Sequence, residues 1–123
     1  MPEKPMIYLV MPPKWKISYY VTSSGDNPIK NFLDRDPRVK AKAFRIFQHI
    51  IEFGLTSANP YIKKLTETPL WEIRILGREN IRIFFVAQTQ KSVMLLHIFT
   101  KKTQKTPARE IKTALNRLKQ IPT

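Results

Sequence analysis

Leu70-Trp71-Glu72-Ile73-Arg74-Ile75-Leu76, then Asn80 to Ala87, then Ser92 to Thr100 are three apolar, β-branched and aromatic runs separated by polar or Gly-containing links. Their composition and the turn residues between them predict three successive antiparallel strands. With Gly77-Arg78-Glu79 as the first link, Leu76 pairs with Asn80 and Arg74 lies directly opposite Arg82. With Gln88 to Lys91 as the second, Ala87 pairs with Ser92 and Arg82 lies opposite His97. Opposed residues share a sheet face with Cβ atoms about 5 Å apart, and like charges there destabilise the pair. The row Arg74, Arg82, His97 therefore brings no structural gain, and a visiting anion explains it. Register carries this expectation, because a slip of one residue moves every side chain to the other face.

On this register Trp71, Ile73, Ile75, Ile81, Ile83, Phe85 and Ala87, with Met94, Leu96 and Ile98, make one continuous apolar face. The reverse face carries Glu72, Arg74, Arg82, Phe84, Val86, Leu95, His97 and Phe99. Apolar walls around a few convergent polar groups are the composition of a ligand site.

Around the three strands the chain reads as one domain. Residues 1–13 are Pro-rich and read as a loose arm ahead of a single domain over 14–123. Lys14 to Val21 is aromatic and β-branched, a strand, and Ser23 to Pro28 is turn chemistry. A short helix over Ile29 to Leu33 follows. Asp36-Pro37 offers an N-cap and a favoured first helical residue. Val39, Ala43, Ile46, Phe47, Ile50 and Ile51 then make a buried helical face that stops near Gly54. The opposite side, with Arg38, Lys40, Lys42 and Arg45, reads as solvated, and residues 56–69 read as a loop. The last helix takes Thr106 as N-cap and Pro107 as its first residue, with Ile111, Ala114, Leu115 and Leu118 as its packed face. The order β-α-α-β-β-β-α predicts an α+β domain with the helices packed on one face of a largely antiparallel twisted sheet.

Charge narrows the function classes. The 123 residues hold 22 Lys and Arg against 9 acids, a net +13, with nine against five in residues 1–60 and thirteen against four in 61–123. Such a balance favours nucleic acid, an anionic surface or an acidic protein as partner. No cysteine is present, which removes thiol catalysis, disulfides and cysteine-ligated metal, and two distant histidines with few carboxylates argue against a metal site or cofactor. No apolar run is long enough to span a membrane, and Ile7 to Met11 is too short for a signal peptide, so the expected place is the cytoplasm.

RNA cleavage needs a base to help the 2′-hydroxyl attack phosphorus, cations for the transition state, and an acid for the leaving 5′-oxygen. Arg74 and Arg82 suit the phosphate and His97 suits proton transfer. Lys63, Lys64, Lys101, Lys102 and Lys105 stand where flanking backbone is held, and Phe99 is the better stacking candidate. Glu72 reads either as an acid–base partner or as an ion-pair mate of Arg74.

The strings Lys64-Leu65, Leu70-Trp71-Glu72-Ile73-Arg74, Ile81-Arg82-Ile83-Phe84-Phe85, Leu95-Leu96-His97-Ile98-Phe99-Thr100-Lys101-Lys102 and Thr106-Pro107 to Glu110-Ile111, with Ala114 and Arg117, resemble the RelE/ParE toxin superfamily. Within it they are most similar to the phage-derived, HigB-like branch of type II toxin–antitoxin systems, over about residues 14–119. The resemblance implies a small α+β toxin that cuts mRNA in the ribosomal A site and is silenced by a helix-turn-helix antitoxin in a hetero-oligomer. It aligns Arg74, Arg82 and Lys64 with the family's basic site residues, and His97 and Lys102 fall near the polar residues of the last strand and its exit. RelE itself has a lysine where Glu72 stands and uses a tyrosine near its C-terminal end, whereas this chain has no tyrosine after Tyr61. ParE-type members share the fold and inhibit DNA gyrase without this catalysis. A basic nucleic-acid-binding module without chemistry is the plainer alternative.

Overall fold

The computed structural model describes residues 14–56 and 58–122. The proposed arm, residues 1–13, lies outside them. The elements are β1 (Lys16–Tyr19), α1 (Pro28–Asp34), α2 (Pro37–Phe53), β2 (Ile62–Lys64), β3 (Leu70–Ile75), β4 (Ile81–Gln88), β5 (Ser92–Thr100) and α3 (Ala108–Lys119). They form the expected α+β domain around one five-stranded sheet of order β1-β5-β4-β3-β2. Only the β1–β5 pair is parallel. The short strand β2, at one edge, lies inside the segment read as a loop. Three residues, Ile-Lys-Lys, are too few to show an alternating pattern.

Helix starts follow their caps. Asn27 accepts the Lys30 N–H at 3.1 Å, and Asp36 accepts those of Arg38 and Val39 at 3.0 and 3.4 Å with Pro37 behind it. Gly54 ends α2 at φ +74°, and a Cβ there would stand 2.5 Å from the Trp15 indole nitrogen. Both the backbone and the indole therefore require glycine. The third helix starts one residue later than expected. Pro107 occupies the cap position in extended conformation, without a side-chain bond, and its carbonyl accepts the Glu110 N–H at 3.1 Å.

The sheet is buried on both sides. Helices α1 and α2 cover Ile73, Ile75, Ile81, Ile83, Phe85, Val93, Leu95 and Ile98. Helix α3 packs on the reverse face, where Ile111, Ala114, Leu115 and Leu118 meet Leu70, Phe84, Val86, Leu96 and Phe99. The helices are thus not confined to one face. An amphipathic helix announces that it will bury a stripe but not which side of a sheet will receive it. The apolar residues expected to wall a ligand site are largely the floor under α3.

The first hairpin has the predicted register, with Arg74 opposite Arg82. The second does not. Its link is three residues, Thr89 to Lys91, with Gln90 and Lys91 at φ +61° and +54°, so Gln88 rather than Ala87 pairs with Ser92. A bulge then inserts Leu96, after which His97 opposes Phe84 and Phe99 opposes Arg82. The one-residue shift at the link turns Leu95 to the α1–α2 side and Met94 and Leu96 to the α3 side, and the bulge returns His97 and Phe99 to the face expected of them.

Candidate functional site

Alternation and register set two rows across the second face. One runs Lys63, Glu72, Phe84, His97, and the next Arg74, Arg82, Phe99. The predicted straight row of Arg74, Arg82 and His97 is therefore broken. His97 is a diagonal neighbour of Arg82 across β4 and β5, a spacing of about 7–8 Å.

Around Arg82 the polar groups are unbalanced. Arg82 is 6% exposed and Glu72 3%. The Glu72 carboxylate accepts from Arg74 Nε at 3.2 Å, and the same oxygen lies 3.7 Å from Arg82 Nε, beyond hydrogen-bond reach. Arg82 donates one terminal N–H to the Ile81 carbonyl at 3.2 Å. Its Nε is buried without any hydrogen-bond partner. Burial pulls the Arg82 pKa down, Glu72 offsets part of that, and Arg74 adds to the fall. A guanidinium stays protonated regardless. Two cations thus share one carboxylate, leaving an unmet donor and a net positive charge in a desolvated place. An oxyanion meets both needs.

At His97 the bonding is closed. Arg117 on α3 donates to the Leu96 carbonyl at 2.9 Å and reaches His97 Nδ1 at 3.4 Å. Arginine only donates, so Nδ1 accepts and the ring proton sits on Nε2, 3.3 Å from Glu110 Oε1. Burial lowers the His97 pKa, the hydrogen bond and charge of Glu110 oppose the fall, and the charge of Arg117 adds to it. The imidazole stacks on Phe99 with ring centroids 5.4 Å apart. On its open side it lines a cavity of about 350 Å³ with Arg35, Asn31 and Arg117. Glu110 and Arg117, seven residues apart on one side of α3, were not among the predicted site residues. Two charged residues two turns apart on an amphipathic helix were the available signal.

The remaining candidates are dispersed. Lys63 shares the face of Glu72, whereas Lys64 opposes Trp71 and gives its ammonium to the carbonyls of Leu65 and Thr68. Lys64 is thus apart from the arginine pair. Phe99 is 6% exposed and edge-on to Phe84, so it is core rather than an open stacking platform. The Lys101 N–H bonds the Asn80 carbonyl at 2.6 Å, and Lys102 and Lys105 are exposed in the loop leading to α3. Among the described residues, no group of three or more histidine, aspartate and glutamate side chains is placed to hold a metal ion. No described helix is long and apolar enough to cross a membrane.

No curated protein matches the chain. A family model described as phage derived protein, Gp49-like, matches residues 30–119, which run from α1 through β2–β5 to the last residue of α3 and include both clusters. The chain belongs to this phage-derived, Gp49-like family.

Proposed function

We propose that this protein is the toxin of a type II toxin–antitoxin pair, in the HigB-like branch of the RelE/ParE superfamily, and that it cleaves ribosome-bound mRNA in the cytoplasm. One observation carries the reading: the buried Arg82 Nε without a partner, beside Arg74 and a single shared carboxylate. Membership of a phage-derived family, the net charge of +13 and the sequence resemblance support it. A helix-turn-helix antitoxin is the proposed partner.

In this mechanism the scissile phosphate takes the free donors of Arg74 and Arg82. Glu72 accepts the 2′-hydroxyl proton as its arginines turn to the phosphate. The 2′-oxygen bonds to phosphorus, the bond to the 5′-oxygen breaks, and a 2′,3′-cyclic phosphate and a 5′-hydroxyl result. His97, diagonal to Arg82, protonates the leaving 5′-oxygen. Phosphate adds negative charge near the ring and offsets Arg117, so it favours the imidazolium form that this step requires. The arginines act where charge develops, which is where a preorganised donor contributes most.

A second reading has its own observation. Both His97 nitrogens are already engaged, and the ring stacks on Phe99, the residue opposite Arg82. A non-catalytic, ParE-like inhibitor of DNA gyrase would need no proton transfer there. Primer extension on a defined mRNA, with and without translating ribosomes, separates the two. Cuts that require ribosomes and vanish in Arg82→Met support the nuclease. Intact message with a DNA-damage response in cells supports the gyrase inhibitor.

A further inference from the structure

We infer that a cation-lined groove along α2, outside the Arg82 cluster, binds the phosphate backbone of single-stranded RNA and leads the strand to Arg74. The inference rests on the RNA-cleaving reading above. Two adjoining cavities of about 580 and 360 Å³ share Lys42, Ile75 and Leu76. Arg38 and Arg78 line the first, and Arg45, Tyr61 and Arg74 the second. Arg74 lines the second cavity and its side chain bonds Glu72 on the opposite, α3 face of the sheet, so it is the residue common to the groove and the candidate site.

The cations are placed by the helix rather than by chance partners. Arg38, Lys42 and Arg45 follow at intervals of four and three, which sets them on one side of α2 along about 10 Å of axis. Lys42 Nζ donates to the Leu76 carbonyl at 2.8 Å, which holds the ammonium over the turn between β3 and β4. Gly77 makes room for it, since a Cβ there would stand 2.6 Å from that nitrogen. Among the described residues, Arg38, Lys42, Arg45 and Arg78 have no carboxylate within ion-pair distance, whereas Lys14, Lys30 and Lys40 each have one. Two acids line the first cavity. Asp36 is committed to the N–H groups of Arg38 and Val39, and Glu79 lies on the exposed turn. The net charge of the lining remains positive.

Tyr61 decides between a nucleic acid and an acidic peptide as occupant. It is 43% exposed and lines the second cavity together with Lys42, Arg45 and Arg74. A basic groove with an aromatic face along it is the arrangement that holds single strands, with cations on phosphates and rings under bases. The helix side read from sequence as merely solvated is thus one wall of a nucleic-acid track.

The test is fluorescence anisotropy of the full-length protein with a short, labelled 2′-O-methyl oligonucleotide, which lacks the attacking hydroxyl and cannot be cut. The triple variant Arg38→Gln, Lys42→Gln, Arg45→Gln is compared with Lys16→Gln, Lys112→Gln, Lys119→Gln, which removes equal charge from exposed positions elsewhere. Each phosphate contact on a single strand contributes about 0.7 to the slope of log affinity against log salt, so the first triple should lose about 2 in slope and the control almost none. Tyr61→Ala should weaken binding several-fold without changing the slope. Equal slopes in the two triples would overturn the inference. So would a poly-glutamate peptide that binds as tightly as the oligonucleotide and with the same dependence on the triple. The site reading fails separately: a slope lost in the groove triple, with no cleavage by the unmodified protein on ribosomes, keeps the track and removes the nuclease.

Discussion

Over β3 and β4 two guanidiniums share the one carboxylate of Glu72, and Arg82 Nε is left without a bond. Over β5 one guanidinium, one imidazole and one carboxylate join in a closed chain from Leu96 to Glu110. Both clusters lie on the same sheet face and both contain a largely buried cation or potential cation. They differ in whether the protein itself satisfies them. A closed polar network stiffens a fold, and here it pins α3 to the sheet. An open one is a standing cost that a ligand removes. Affinity for phosphate should therefore reside in the first cluster, and stability and protonation of the leaving 5′-oxygen in the second.

The largest effect that would break this contrast is at Glu72. Glu72→Gln leaves Arg82 buried without a counter-charge, and removing one partner of a buried pair costs about 3–5 kcal/mol. Urea unfolding should show that loss, and inorganic phosphate should recover about 2.7 kcal/mol at a hundred times its dissociation constant. A variant as stable as the parent and indifferent to phosphate would make the cluster an ordinary ion pair. Next comes Arg82→Met, which should lower ribosome-dependent cleavage by about 10²–10³-fold, the usual result of removing one transition-state donor. Its stability should change little, because Glu72 keeps Arg74.

Arg117→Met addresses the closed cluster. It leaves the Leu96 carbonyl and His97 Nδ1 without their donor, a cost of about 1–3 kcal/mol in urea unfolding. Phosphate affinity should be nearly unchanged. The smallest effect is a pH dependence. His97 has its pKa lowered in the folded protein, so between that value and the ordinary value near 6.5 the unfolded chain binds more protons. Stability should rise with pH through that window and fall as pH drops through it, and His97→Gln should flatten the change in thermal unfolding. Asp34, held at about 2 by Lys30 and Lys40, loses its contribution between its ordinary value and about 2.

Much of this was legible in the chain. Asp36-Pro37 and Gly54 marked the ends of α2 because a cap and a positive φ are local requirements. The turn at Gly77 gave the register that sets Arg74 against Arg82. The second hairpin was misread because Met94, Leu95 and Leu96 are all apolar. A strand buried on both faces has no alternation with which to reveal a bulge. The shorter link and the bulge, one residue each, together moved His97 from opposite Arg82 to opposite Phe84. Phe84, Val86 and Phe99 were read as walls of an open site because their apolar surface was visible and the helix covering it was not assigned to that side. The unmet donor at Arg82 lies beyond any sequence pattern, since it depends on the angle at which Glu72 meets two arginines.

The most direct measurement is ¹⁵N NMR of the arginine Nε–H groups during titration with dimethyl phosphate, with Arg82 assigned by loss of its signal in Arg82→Lys. An open Arg82 cluster requires a saturating shift of the Arg82 Nε–H resonance while that of Arg117 stays in place. An Arg82 signal that does not move at phosphodiester concentrations that shift other arginines would contradict it.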